Sequence, residues 1–331
     1  MRHGGDPVEG AGLYGIVSDD WLDLSTGINP RPWPWRERLQ ASALGLERLP
    51  TRAEIAALEA AARQAYRLPR EAEIVPLAGT ELAIRQLPAL IDRAAFLASS
   101  YSSYRAAFGD SLRPIAEPDE AEGEESLILV NPNNPDGRLL SPAAIARLAA
   151  ERPQRLVVVD EAYADALPPH TSALPLLQEA GNLLVLRSFG KFYGLPGLRL
   201  GFAVGRAEPI RALRARLGDW PVSQAAIAIG AAALADRPWR QESRRWLASQ
   251  AGALRSMLKR HRLGSCGHCP LFTLLRHPGA TVLHRRLAQK GIWTRRFEER
   301  PDSLRLGLPA DAAGLARLEE ALSETLQGMR P

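Results

Sequence analysis

Of the 42 basic residues in this 331-residue sequence, only Lys191, Lys259 and Lys290 are lysines. Wherever a plain positive charge would serve, the chain uses arginine, whose guanidinium stays protonated in proteins. A lysine amine can shed its proton and attack a carbonyl carbon to form a Schiff base. A lysine kept against that background marks chemistry that a guanidinium cannot perform. Lys191 stands out by its setting, Arg187-Ser188-Phe189-Gly190-Lys191-Phe192-Tyr193-Gly194-Leu195-Pro196-Gly197-Leu198-Arg199.

Other groups able to do chemistry follow short apolar runs: Gly79-Thr80-Glu81, Tyr101, Asn131-Pro132-Asn133-Asn134-Pro135 and Asp160-Glu161-Ala162-Tyr163. The elements that must position them are legible in the hydrophobic pattern. From Thr51 the spacing is helical: Thr51 and Glu54 can form a capping box, and Ile55, Leu58, Ala62 and Ala65 share a face. Beyond Pro69, apolar strands at 74–77, 94–98, 112–116, 127–130, 156–159, 183–186 and 201–204 alternate with helices. Strands this apolar are covered on both faces, which predicts an α/β fold with a mainly parallel sheet wrapped by helices. Ligands of such sheets bind at the carboxyl ends of the strands, where the residues above stand. Residues 1–50, rich in glycine, proline and tryptophan, read as an N-terminal arm with part of a small domain. Residues 51–237 read as the large domain. Residues 238–331, where alternation resumes on a smaller scale after an arginine-rich connecting helix, read as a small C-terminal α/β domain.

Composition excludes several classes. With 46% hydrophobic and 24% charged residues the chain can bury a sizeable core. It has no long apolar run and no apolar segment after Met1-Arg2-His3, which predicts a cytoplasmic protein without a membrane role. The net charge of +5 comes from arginines interleaved with acids along helical segments, so it predicts solvated helix faces and an anionic small substrate rather than nucleic acid. Cys266 and Cys269 are half of a structural zinc site with no second pair, and His261 and His268 are the nearest substitutes. Because 271–275 reads as a buried strand, no metal is expected there.

In their order along the chain, Gly79, Thr80, Tyr101, Asn134, Asp160, Tyr163, Ser188, Lys191 and Arg199 resemble the pyridoxal-phosphate enzymes of the class I/II aminotransferase fold, fold type I. The resemblance runs from Asp23 to Arg305 and implies pyridoxal 5'-phosphate as cofactor. Lys191 would hold the cofactor aldehyde and, once released, carry protons. Asp160 would pair with the ring nitrogen and keep it protonated; the plainer reading is a helix-capping aspartate. Tyr163 would hydrogen-bond the ring hydroxyl together with Asn134, and Tyr101 would stack on the ring, with Tyr104 as the alternative. Gly79 and Thr80, with Ser188 and Arg199 at the family's spacing around the lysine, would hold the cofactor phosphate. Arg305, in Ser303-Leu304-Arg305-Leu306-Gly307, resembles the arginine that grips the substrate α-carboxylate, with Arg295 and Arg296 as competitors. The family's members are homodimers whose subunits complete each other's sites, so the resemblance implies a homodimer here.

Within that family, His3-Gly4-Gly5, Leu24-Ser25-Thr26-Gly27-Ile28-Asn29-Pro30 and the run from Asn131 to Arg138 resemble the threonine-phosphate decarboxylases of cobalamin biosynthesis. That group implies a lyase that converts L-threonine O-3-phosphate to (R)-1-amino-2-propanol O-2-phosphate. It further implies His3, Gly4, Gly5, Asn29 and Asn134 as lining of the substrate site. Histidinol-phosphate aminotransferases share the cofactor set and a phosphorylated substrate and are the alternative; the glycine arm with Gly27-Ile28-Asn29-Pro30 favours the decarboxylases. Two positions depart from the family pattern. Leu49-Pro50 stands where members often carry a Tyr-Pro that reaches the neighbouring subunit's cofactor, and Asp136 stands where threonine is commoner.

Overall fold

The computed structural model describes residues 4–15, 20–123 and 125–329. The chain forms two compact units. One comprises Pro32–Asn134 and Leu139–Arg244; the other comprises Met1–Arg31, Pro135–Arg138 and Arg245–Pro331.

The larger unit is built on a seven-stranded sheet: β1 (Glu73–Leu77), β2 (Ala94–Leu97), β3 (Leu112–Ile115), β4 (Ser126–Val130), β5 (Val157–Asp160), β6 (Leu183–Ser188) and β7 (Gly201–Gly205). Its spatial order is β1-β7-β6-β5-β4-β2-β3. Strands β6, β5, β4, β2 and β3 run parallel, and β7 lies antiparallel between β6 and β1. The Val, Ile and Leu runs in β4, β5 and β6 are buried on both faces, as their unbroken apolar character requires. The observed strands match the expected ones to within about two residues, the ordinary uncertainty of an element's end. Register brings Val130, Asp160 and Leu186 side by side, so the carboxyl ends of three strands finish level.

Helix α1 (Arg52–Tyr66) starts as its sequence predicts. The Glu54 amide donates to Thr51 Oγ1 at 3.3 Å, and the Thr51 amide donates to Glu54 Oε2 at 2.9 Å. Helices α2 (Thr80–Gln86), α3 (Ser102–Phe108), α4 (Pro142–Ala150), α5 (Ala207–Leu217), α6 (Gln224–Ala235) and α7 (Arg237–Arg260) follow.

In the smaller unit the strands Arg295–Phe297, Arg300–Gly307, Phe272–Arg276 and Gly264–Cys266 form an antiparallel sheet in that order. Leu22–Asp23 pairs in parallel with Ile292–Trp293. Two features were not legible in the sequence. The glycine-rich arm contains a helix, Pro7–Tyr14, in which a Cβ on Gly10 would lie 2.7 Å from the Trp293 indole. The edge strand Gly264–Cys266 places Cys266 opposite Leu274, while Cys269 is fully buried and burial pushes its thiol up to about 12. Among the described residues no helix is long and apolar enough to cross a membrane.

A buried ion cluster joins the ends of β5 and β6. Arg187 Nη1 donates to Glu161 Oε2 at 2.6 Å, and its Nη2 donates to Asp165 Oδ1. Glu161 also accepts from the Ser172 hydroxyl and the Ala173 amide, each at 2.6 Å. Desolvation pulls the Arg187 guanidinium down, but Asp165 and Glu161 outweigh it and hold it above its ordinary value. Removing one partner of such a cluster strands the others in a low-dielectric interior. Arg187→Met is therefore expected to cost roughly 3–5 kcal/mol in urea unfolding. A loss within about 0.5 kcal/mol, typical of surface positions, would show that the cluster does not hold these strands together.

Candidate active site

Level strand ends leave a cavity of about 130 Å³ in the larger unit, lined among others by Gly79, Thr80, Tyr101, Asn134, Asp160, Tyr163, Ser188, Lys191 and Arg199. Every cofactor residue expected from the sequence thus converges on one space. Lys191 lies on the helical turn Phe189–Phe192 that follows β6, and its Nζ sits 5.9 Å from the centroid of the Tyr163 ring. Phe189 and Phe192, both fully buried, anchor that turn in the core and leave Lys191 at the cavity wall.

Asp160 ends β5 and is 3% exposed. Its Oδ2 accepts from the Tyr104 hydroxyl at 3.0 Å, and its Oδ1 accepts from the Ala162 amide at 3.0 Å. Burial raises the carboxyl to about 6, against the pull of the Tyr104 hydroxyl, the Ala162 amide and the charge of Lys191. A buried carboxylate with no arginine partner among the described residues is suited to a cationic N–H group entering the cavity. Asp160 is not a helix cap: the residues after it form a turn and then a short 3-10 segment.

Tyr101, the residue that caps the start of α3, and Tyr104 within it divide their work by burial. Tyr101 is half-buried, lines the cavity and donates to Glu81 Oε2 at 3.3 Å. Tyr104 is fully buried, packs on Phe96 at 5.1 Å and orients Asp160. Sequence reasoning kept Tyr104 only as an alternative to Tyr101 and missed this positioning contact, because three-residue spacing on a helix puts both on neighbouring positions and only depth separates them.

The asparagines after β4 divide similarly. Asn131 exchanges hydrogen bonds with the Leu140 backbone at 3.2 and 2.8 Å, and Asn133 bonds Ser100 Oγ at 2.5 Å and the Ser99 carbonyl at 3.0 Å. These two fix the loop, and Asn134 faces the cavity.

At the other end, Arg199 has φ +55° and crosses to the start of α2, where its Nη2 donates to the Ala78 carbonyl at 3.5 Å. A Cβ on Gly79 would lie 2.6 Å from that nitrogen, and the φ of +85° there would strain any side chain, so the turn calls for glycine. Ser188 and Thr80 complete a set of donors around a fixed cation, the chemistry of an anion cup. An acid at one end, a donor cup at the other and an amine on the wall match the ends and the aldehyde of pyridoxal phosphate.

The substrate residues expected from the sequence fall in the smaller unit, apart from Asn134. His3 lies outside the described residues. Gly4, Gly5 and Arg305 meet at Ser25, a hub that sequence reasoning did not single out. The Gly5 amide donates to Ser25 Oγ at 2.7 Å, and Arg305 Nη2 donates to the Ser25 carbonyl at 2.8 Å. A Cβ on Gly4 would come within 2.4 Å of that carbonyl oxygen. Ser25 is held in turn by Asp23 Oδ1, which accepts from its amide at 2.8 Å and its hydroxyl at 2.6 Å. Arg305 is buried, with its guanidinium 5.0 Å from the Phe272 ring centroid, whereas Arg295 and Arg296 are only partly buried. Asn29 is buried and accepts from the Arg31 amide at 3.0 Å. Arg48, beside the departure at Leu49, forks onto Glu54 at 2.9 and 2.5 Å.

Comparison with known proteins agrees with this geometry. The chain is 40% identical over 333 residues to a threonine-phosphate decarboxylase of Pseudomonas aeruginosa, covering 97% of both. It is 38% identical over 334 residues to one from a Sinorhizobium species, again covering 97% of both. Histidinol-phosphate aminotransferase from Sinorhizobium meliloti, solved in complex with pyridoxal-5'-phosphate, superposes with a TM-score of 0.81 at 20% identity, over 98% of this chain and 95% of that one. The family model for aminotransferase class I and II matches residues 19–322. With the fold, the strand-end lysine and a match over nearly its whole length, this chain belongs to the aminotransferase class I and II family.

Proposed function

We propose that this chain is a pyridoxal-phosphate-dependent lyase that decarboxylates L-threonine O-3-phosphate to (R)-1-amino-2-propanol O-2-phosphate in cobalamin biosynthesis. The observation that carries the reading is its end-to-end similarity to two threonine-phosphate decarboxylases, since a lysine and acid of this kind serve transamination equally well. We take the enzyme to act in the cytoplasm as a homodimer.

When bound, pyridoxal phosphate supplies a protonated ring that accepts the electron pair released at the substrate's α-carbon. Lys191 would hold its aldehyde carbon, and Asp160, oriented by Tyr104, would pair with the ring nitrogen and keep it protonated. Tyr163 and Asn134 would hydrogen-bond the ring hydroxyl, and Tyr101 would stack on the ring. Gly79, Thr80, Ser188 and Arg199 would hold the phosphate through backbone and hydroxyl donors around a guanidinium. Arg305 would take the substrate's carboxylate with Asn29 near it, and the arm, His3, Gly4 and Gly5, would take its phosphate end. Fixing the substrate at both its carboxylate and its phosphate would select the bond from the α-carbon to the carboxylate for cleavage. Carbon dioxide leaves, and Lys191 Nζ returns a proton to the α-carbon.

Purified protein with pyridoxal phosphate and threonine phosphate should release carbon dioxide and aminopropanol phosphate in equal amounts without any oxo acid. Amino transfer to 2-oxoglutarate without carbon dioxide would replace this reading with an aminotransferase. Lys191→Ala should remove the absorbance band of lysine-linked cofactor and lower turnover by about 100-fold or more. Persistence of the band in that variant would overturn the lysine's role.

Asp160 gives a pH signature of its own. Its carboxyl is raised to about 6 in the folded protein from an ordinary 3.8. The cofactor-free fold therefore keeps a proton that the unfolded chain gives up, and the associated stability is present below pH 3.8 and lost as pH rises through about 6. The loss is on the order of 3 kcal/mol. Cofactor-free Asp160→Asn should lose correspondingly less stability across that window in urea unfolding, while binding pyridoxal phosphate at least about tenfold more weakly near neutral pH. An unchanged stability slope with unchanged cofactor affinity would remove Asp160 from the site.

A further inference from the structure

Strand β6 alternates, so Ser188 faces the Lys191 cavity while Arg187 points to the opposite side of the sheet. There Arg187 lines a second cavity of about 670 Å³, and no residue lines both. Its size is that of a pocket for a small metabolite. The end of α1 and the first turns of α7 bring Arg67, Arg237, Arg240 and Arg244 to its wall.

Positive charge there is poorly compensated. Asp165 is the one acidic residue lining the cavity among the described residues, and it already serves Arg187. Among the described residues Arg240 and Arg244 hydrogen-bond only backbone carbonyls, those of Ala65 at 3.2 Å and Asp165 at 2.7 Å. Among the described residues neither has a carboxylate within 4.0 Å. Burial, with the like charge of Arg240 acting against the pull of Asp165, holds the Arg244 guanidinium below its ordinary value. Three buried polar atoms of residues in the same wall, the Tyr66 hydroxyl, Arg187 Nε and Arg240 Nε, have no hydrogen-bond partner among the described residues. Buried donors of this kind are costly unless something accepts from them.

We propose that this cavity is a second ligand site, one that binds a dianionic phosphate group. Arg240 and Arg244 form its cationic clamp, and the Tyr66 hydroxyl donates a further hydrogen bond. Two uncompensated guanidiniums balance two negative charges, and planar guanidiniums match the paired oxygens of a phosphate. The site stands apart from the cofactor's anion cup. It lies behind the turn that carries Lys191: Arg244 sits 5.4 Å from the Phe192 ring centroid, and Trp239 stacks on Tyr193 at 5.7 Å with an interplanar angle of 14°.

Trp239 precedes Arg240 and serves as a built-in reporter. The cofactor-loaded enzyme, its own anion cup filled, is titrated with inorganic phosphate and, separately, with glycerol 3-phosphate while indole fluorescence is followed. The expected result is a saturable change that disappears in Trp239→Phe. Tighter binding of the ester assigns the site to an organic phosphate, and equal binding assigns it to free phosphate. Arg240→Gln with Arg244→Gln should weaken binding at least about tenfold. Tyr66→Phe keeps the ring that packs on Phe202 and removes only the hydroxyl, and should weaken binding independently of any folding defect in the paired variant. No saturable change, or a wild-type response in both the paired variant and Tyr66→Phe, overturns the proposal. So does a response that survives Trp239→Phe, because the phosphate then binds elsewhere.

Discussion

The ion cluster of Arg187, Glu161 and Asp165 is the contact on which the rest of the larger unit depends. Glu161 directly follows Asp160, and Arg187 directly precedes Ser188, so a pair of charge-assisted bonds fixes the distance between the acid and the lysine-bearing turn. Burial makes that tie strong only because every partner is present; Ser172 and the Ala173 amide complete the coordination of Glu161. Strand alternation then gives the cluster two faces. On one side of the sheet stands the cavity with Lys191, and on the other stands the arginine-walled cavity that Arg187 helps to line.

Asp160 illustrates how a fold keeps a destabilising group in place. A carboxyl buried to this depth resists ionisation, and one hydroxyl and one amide only partly compensate. A cationic partner beside the carboxylate would supply the compensation that the protein's own donors provide only in part. In the anion cup, a Cβ on Gly79 would lie against Arg199, and the positive φ there would strain any side chain.

Much of this was legible along the chain. Apolar runs bounded by turn residues gave the strands of the parallel sheet, since a strand covered on both faces leaves no polar alternation to confuse with a helix. Residues immediately after those runs had to lie at one edge of the sheet, which gathered Gly79, Tyr101, Asn134, Asp160, Ser188 and Lys191 before any coordinates were known. What stayed hidden depends on depth or on contacts distant in sequence. The helix at Pro7–Tyr14 has too many glycines to announce itself, and its Gly10 makes sense only against Trp293. Ser25 is one serine in a polar turn until Gly5 and Arg305 are seen to share it.

By itself, then, the sequence determined the mainly parallel sheet and placed Lys191 and Asp160 just after its strands, because apolar runs and the turns that bound them are local features. The tertiary structure decided between chemically equivalent neighbours. Tyr104 rather than Tyr101 orients Asp160, and Arg305 rather than Arg295 or Arg296 is buried. Such choices turn on burial and on distances between residues far apart in the chain, and neither quantity is written in the spacing of a linear sequence.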